Sequence, residues 1–198
     1  MGTELEYKYR VPAPETLGRV LAAAPQYALP VGQTRRLVMR TDYYDTPDGA
    51  FRARRWTLRL RTENGTPVVT LKTPLGGGVR GEWETEAQTV REAICALLAQ
   101  GAPAGLAELA SGELRRTCGA EFTRTAQLLE LPDSSRCELA ADLGQLCGST
   151  ERESLCELEL ELKRGAPEQT RLLGELLCAE FGLSPEPRSK LARALALK

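Results

Sequence analysis

Residues 156–163 read C-E-L-E-L-E-L-K, an unbroken alternation that constrains its local structure tightly. A period of two is the mark of a β-strand, with Glu157, Glu159 and Glu161 on one face and Leu158, Leu160 and Leu162 on the other. Adjacent carboxylates on such a face stand roughly 7 Å apart, twice the rise per residue. Taken alone, the run describes a surface strand with its leucines inward. It is not alone. Glu4-Leu5-Glu6-Tyr7-Lys8 and Glu82-Trp83-Glu84-Thr85-Glu86 repeat the alternation, and Arg59-Leu60-Arg61 does so with the opposite charge. Several strands, each with a row of one sign, predict the walls of one charged chamber.

The rest of the chain supplies the other staves. Strands are predicted over Thr3–Val11, Gln33–Tyr44, Trp56–Glu63, Thr66–Thr73, Arg80–Gln88, Ala120–Leu131, Ser135–Asp142, Gln145 to Thr150 and Ser154–Lys163. Asn64-Gly65 is a two-residue hairpin signal, and Leu143-Gly144 reads as a tight connection. Helices are predicted over Pro14–Ala24, Thr89–Gln100, Leu106–Leu114, Pro167–Phe181 and Arg188–Leu197, the fourth carrying a leucine stripe and a Gly182 C-cap. The expected fold is α+β: an antiparallel barrel of about eight strands with helices outside, forming a single domain over residues 1–198. With apolar faces turned toward the helices, the charged faces must point inward. Buried like charges are tolerable there only when paired or bound to metal.

Composition removes several alternatives. The chain has 198 residues and no histidine, which excludes histidine-based triads and metal sites. Its net charge of −1 gives no global field for nucleic acid. The apolar runs are too short to cross a membrane, and Met1-Gly2-Thr3-Glu4 lacks the features of a signal peptide. Six scattered cysteines without zinc-like spacing read as reduced thiols, so a cytoplasmic protein is expected.

Hard carboxylate oxygens without histidine or cysteine partners suit Mg2+ or Mn2+, and Glu4, Glu6, Glu157, Glu159 and Glu161 are the candidate ligands. Rows of Arg and Lys suit phosphate oxygens. Phosphoryl transfer needs mainly positioning and charge neutralisation, so cation and metal together form a sufficient toolkit. Arg35, Arg36, Arg52, Arg54 and Arg55 have no assigned role, and Trp56 is either strand packing or an aromatic at a chamber mouth.

These residues, taken in order, resemble the CYTH or triphosphate tunnel metalloenzyme family. The resemblance is carried by Glu4, Glu6 and Lys8, by Tyr43-Tyr44-Asp45-Thr46-Pro47, by Leu58-Arg59-Leu60-Arg61 and by Glu63-Asn64-Gly65. It continues through Thr70-Leu71-Lys72, Arg80-Gly81-Glu82, Phe122-Thr123-Arg124, Asp142, the Cys156–Leu162 row and Ser189-Lys190. It implies an eight-stranded tunnel, closed by a C-terminal plug helix, that binds a triphosphate with divalent metal. Glu4, Glu6, Glu157 and Glu159 would be metal ligands, with Glu161 and Asp142 as further acidic candidates. Lys8, Arg59, Arg61, Lys72, Arg80, Arg124 and Lys190 would hold phosphates, and Glu82 would orient water, so that Glu4, Glu6, Lys8 and Glu82 make up the catalytic set. Within the family the bacterial inorganic triphosphatases are the best match, with thiamine triphosphatase, other nucleotide-acting members and a noncatalytic polyphosphate binder as alternatives. The cyclase members carry a His-Phe pair ahead of the first motif, which this chain lacks. The expected partner is a small triphosphate compound, and a homodimer is left open.

Overall fold

The computed structural model describes residues 2–197, in which ten strand segments form one antiparallel sheet. In chain order they are β1 (Gly2–Glu4), β2 (Glu6–Arg10), β3 (Leu29–Asp45), β4 (Thr57–Glu63), β5 (Thr66–Gly76), β6 (Val79–Glu86), β7 (Arg115–Glu130), β8 (Arg136–Cys147), β9 (Arg152–Arg164) and β10 (Ser184–Pro185). The helices are α1 (Pro14–Ala23), α2 (Ala50–Ala53), α3 (Val90–Ala99), α4 (Gly105–Ser111), α5 (Pro167–Phe181) and α6 (Lys190–Leu195). No helix among the described residues is long and apolar enough to cross a membrane.

β1 and β2 are one N-terminal run broken at Leu5. The first half pairs with β6 and the second with β9. The run therefore joins the two ends of the order β6-β5-β4-β3-β7-β8-β9 and curls the sheet round on itself. Counted as one strand, it gives nine strands rather than the expected eight. Eight follow one another round the curl, and β10 adds to the edge of β2 beside Arg10.

A second difference concerns Leu143-Gly144, which is no turn: β8 passes straight through it, and the two strands predicted there are one. The glycine answers a packing demand. A Cβ at Gly144 would come within 2.2 Å of the Glu121 carbonyl oxygen on β7. A third is β3, which starts at Leu29 and carries a bulge between Val31 and Arg35, where Gly32 takes a φ of +69°. α4 stops at Ser111, short of the predicted Leu114.

Alternation then sorts the sheet's two faces. Outside, α1 and α5 bury Leu129, Leu139, Leu158 and Leu160 in one core. α3 and α4 bury Leu58, Val69, Leu71 and Trp83 in another. Burying one such side chain contributes about 1.5–3 kcal/mol, so the leucines of the alternating rows pull their charged neighbours to the inner face. A third cluster joins Ala194 of α6 to Met39, Tyr43, Phe122, Leu146 and Leu155, all on inward-facing strand positions. α6 is thus an apolar stopper at one end of the curl. The charged space lies above it.

Candidate active site

A cavity of about 290 Å3 occupies the inside of the curl. Every residue expected at the site lines it except Asp142 and Glu157, which lie behind the lining with no exposure. Glu4 of β1, Glu6 of β2, and Glu159 and Glu161 of β9 form an acidic wall. Arg59 and Arg61 of β4, Lys72 of β5 and Arg80 of β6 form a cationic wall, with Arg124 of β7, Lys8 of β2 and Lys190 of α6 completing the ring. Glu82 stands on β6 directly opposite Lys72.

The cationic wall keeps unused donors. Arg61 pairs with Glu63 and Arg59 approaches Glu82 to 3.7 Å, but the Nε groups of both are buried without an acceptor. Burial, then the neighbouring Arg59, pushes the Arg61 guanidinium down to about 10. Arg80 donates to the Thr57 hydroxyl at 3.0 Å, and burial lowers its pKa as well. Buried donors left unpaired are costly, on the order of 1–3 kcal/mol each and more for charged groups. This wall therefore offers donors that an oxygen-rich anion could satisfy.

The acidic wall is crowded instead. Glu6 and Glu161 face each other directly across the β2–β9 pair, and like charges in that position repel. Burial raises the Glu161 pKa, and Glu4 nearby adds to the rise against Lys163. Glu4 gives one carboxylate oxygen to Lys72, while its Oε2 is buried with no partner. An orphaned carboxylate oxygen on an acidic wall suits a hard divalent cation, although among the described residues the three carboxylates close enough to share one are Asp142, Glu157 and Glu159. Burial also opposes the charge of Glu82, but Lys72 and Arg59 outweigh it and hold this carboxylate below its usual range.

At the back of this wall, Asp142 and Glu157 behind the lining and Glu159 within it bring ligand atoms within 4.8 Å of one another. Lys190 Nζ sits among them, 2.8 Å from Asp142, 2.5 Å from Glu157 and 2.6 Å from Glu159. Arg124 adds a forked pair to Asp142 and a contact to Glu159. Burial works against the charge of Glu159, but Lys190 and Arg124 overcome it and keep the group ionised.

Several lining residues escaped the sequence reading. Tyr43 and Phe122 face the cavity, the latter with Lys190 Nζ 5.3 Å from its ring centre. Arg35, which had no role, reaches the lining and pairs with Glu138. Arg193 is buried on α6 and donates to Glu157 at 2.8 Å. Its spacing of one helical turn from Lys190 was the available signal. Trp56 packs edge-on against Phe51 and borders a separate outer cavity of about 830 Å3, which shares Thr57, Arg80, Ser189 and Leu191 with the inner one.

A curled sheet enclosing opposed cationic and acidic walls defines a charged tunnel fold. The CYTH domain family model matches residues 2–195, and the chain belongs to that family. Solved structures repeat the fold. A Hippeastrum protein, named for adenylyl cyclase and described as having a dominant triphosphatase activity, superposes with a TM-score of 0.59 at 19% identity, covering 98% of this chain and 95% of its own. A Pyrococcus horikoshii protein gives 0.58 at 21% identity, covering 98% of both chains. A Bacillus halodurans protein provisionally assigned as an adenylate cyclase gives 0.55 at 18%, covering 98% of this chain and all of its own (100%).

Proposed function

We propose that this chain is a metal-dependent triphosphatase that cleaves inorganic triphosphate to pyrophosphate and phosphate. The observation that carries the reading is the pair of buried guanidinium groups, Arg59 and Arg61, whose Nε donors have no acceptor and face a wall of carboxylates. A triphosphate supplies the missing oxygens on one side. A divalent cation, Mg2+ or Mn2+, satisfies the other, held by Glu4, Glu6 and Glu161 with Glu159 beside them. When bound, that cation would neutralise charge on the phosphoryl oxygens.

The chain's own residues do the remaining work. Arg59, Arg61 and Arg80 grip phosphate oxygens along one wall, and Lys8, Lys72 and Arg124 reach them from neighbouring strands. This fixes the chain of phosphates along the tunnel, so that attack at a terminal phosphorus becomes a matter of placing water. Glu82, kept ionised by Lys72 and Arg59, accepts a hydrogen bond from that water and orients it. The cationic wall then stabilises charge as it shifts onto the leaving pyrophosphate.

The outer cavity beside Trp56 favours one second reading, an organic triphosphate whose ring lies outside the tunnel. Phosphate release from triphosphate, ATP, thiamine triphosphate and long-chain polyphosphate, with Mg2+, with Mn2+ and with EDTA, separates the two. Fast metal-dependent cleavage of triphosphate over ATP and thiamine triphosphate is expected. A preference for either organic compound would move the assignment to the second reading.

A further inference from the structure

The two ends of the tunnel differ in sign. Away from α6 the cationic rows give way to carboxylates: β4 runs from Arg59 and Arg61 to Glu63, and β6 from Arg80 to Glu82 and Glu84. Glu138 of β8 stands at the same end, paired with Arg35. Toward α6 the tunnel meets the outer cavity of about 830 Å3, the two sharing Thr57, Arg80, Ser189 and Leu191. Arg52, Arg55 and Arg80 line that outer cavity, and no aspartate or glutamate does. Among the described residues none of the three arginines makes an ion pair; Arg80 donates to the Thr57 hydroxyl and the Lys72 carbonyl instead. Arg55 holds its place against local preference. α2 ends in a Schellman motif, with Trp56 N–H donating to the Phe51 carbonyl and Arg55 N–H to the Arg52 carbonyl, each at 2.9 Å. Arg55 therefore takes a φ of +58°, at the position where glycine, lacking a Cβ, is favoured. The β5–β6 hairpin tip, Gly76-Gly77-Gly78, lines the same cavity with no side chain to fill it.

We infer that the outer cavity is an anion subsite continuing the tunnel, in which Arg52 and Arg55 hold the fourth and later phosphates of a linear polyphosphate. Arg80 lines both spaces and joins them. A chain longer than triphosphate can leave the tunnel in two directions. One leads past Glu63, Glu84 and Glu138, which repel it. The other leads to three arginines with no carboxylate among them, where each added phosphate brings oxygens to a guanidinium. An uncharged or cationic ring in the same cavity would leave those guanidinium groups unanswered.

The inference rests on the reading of the tunnel as a triphosphate site, and its test is binding rather than turnover. Isothermal titration in EDTA compares triphosphate, linear tetraphosphate, long-chain polyphosphate, ATP and thiamine triphosphate. Wild type should bind the two longer polyphosphates more tightly than triphosphate. R52Q and R55Q combined should weaken binding of the longer chains by at least about tenfold, the scale of one charge-assisted hydrogen bond, and leave triphosphate binding unchanged. R55G should share the loss while melting at or above the wild-type temperature, because glycine takes the left-handed backbone without strain. That variant separates a lost contact from a damaged fold. An equal loss for triphosphate and the longer chains, no loss for either, or a loss confined to ATP or thiamine triphosphate would overturn the inference. A protein that cleaves no triphosphate with metal, yet shows this dependence on chain length, would sink the hydrolytic reading and leave the outer subsite standing.

Discussion

Glu6 and Glu161 stand directly opposite each other across the β2–β9 pair, two carboxylates at a position where sheets place complementary partners. Each pairs with a lysine two residues along its own strand, Lys8 for Glu6 and Lys163 for Glu161. The arrangement costs stability unless a cation bridges the strands. Replacing Glu161 by Gln should therefore lower Mn2+ affinity by at least tenfold, while the melting temperature in EDTA stays level or rises. Isothermal titration and thermal melting measure the two. A drop in metal-free stability would assign Glu161 a structural role instead.

Arg59 and Arg61 make the corresponding prediction for the anion. Each is buried and lacks an acceptor at Nε, so each gains most when phosphate arrives. Arg59→Gln or Arg61→Gln should cut kcat/KM for triphosphate by roughly 10²-fold or more, the scale found for oriented donors in water-poor sites. The Arg61 variant should melt at or above the wild-type temperature without ligand, because burial and the neighbouring Arg59 oppose its charge. Steady-state kinetics and melting curves check both statements.

Much of this was legible in the chain, for a physical reason. Strict alternation of charge and leucine fixes which face each residue takes, so the inward positions of β2, β4, β6 and β9 follow from sequence once the outer face is apolar. Chain breaks were less legible. Gly144 looked like a turn because a glycine serves equally for a bend and for close contact, and only the passing Glu121 carbonyl distinguishes the two. α2 and β10 are too short for any periodicity to announce them. The pairing of Lys190 and Arg193 with buried glutamates depends on how α6 enters the curl, a long-range relation whose one local trace is their spacing of a helical turn.

Glu186 gives a pH prediction. It accepts from Arg188 and from Arg10 Nε at 2.6 Å, tying β2 to the segment before α6. The Arg188 contact first, then that of Arg10, hold its pKa down at about 2 against an ordinary 4.5. Because folding lowers this pKa, the stabilisation is complete above the ordinary value and disappears as pH falls from there toward the folded one. The excess melting temperature of wild type over E186Q should be largest near neutral pH and shrink steadily in acid. A gap that stays constant from about pH 7 to about pH 3 would contradict this linkage.

Gly174 of α5 tests the outer packing. A Cβ there would fall 1.9 Å from the hydroxyl oxygen of Tyr9 on β2. Gly174→Ala should destabilise the fold by about 1–3 kcal/mol through overpacking, despite alanine's better helix propensity. The double variant with Tyr9→Phe should recover part of the loss, as read from urea denaturation.

The central claim is that the tunnel holds a triphosphate and cleaves its terminal bond with the help of a divalent ion. Phosphorus NMR of triphosphate incubated with the protein and Mg2+ or Mn2+ tests it most directly. The triphosphate signals should give way to pyrophosphate and orthophosphate in equal amounts, with no change in the presence of EDTA. Triphosphate that persists unchanged with either metal, at protein concentrations where it raises the melting temperature, would leave a binding tunnel without the proposed chemistry.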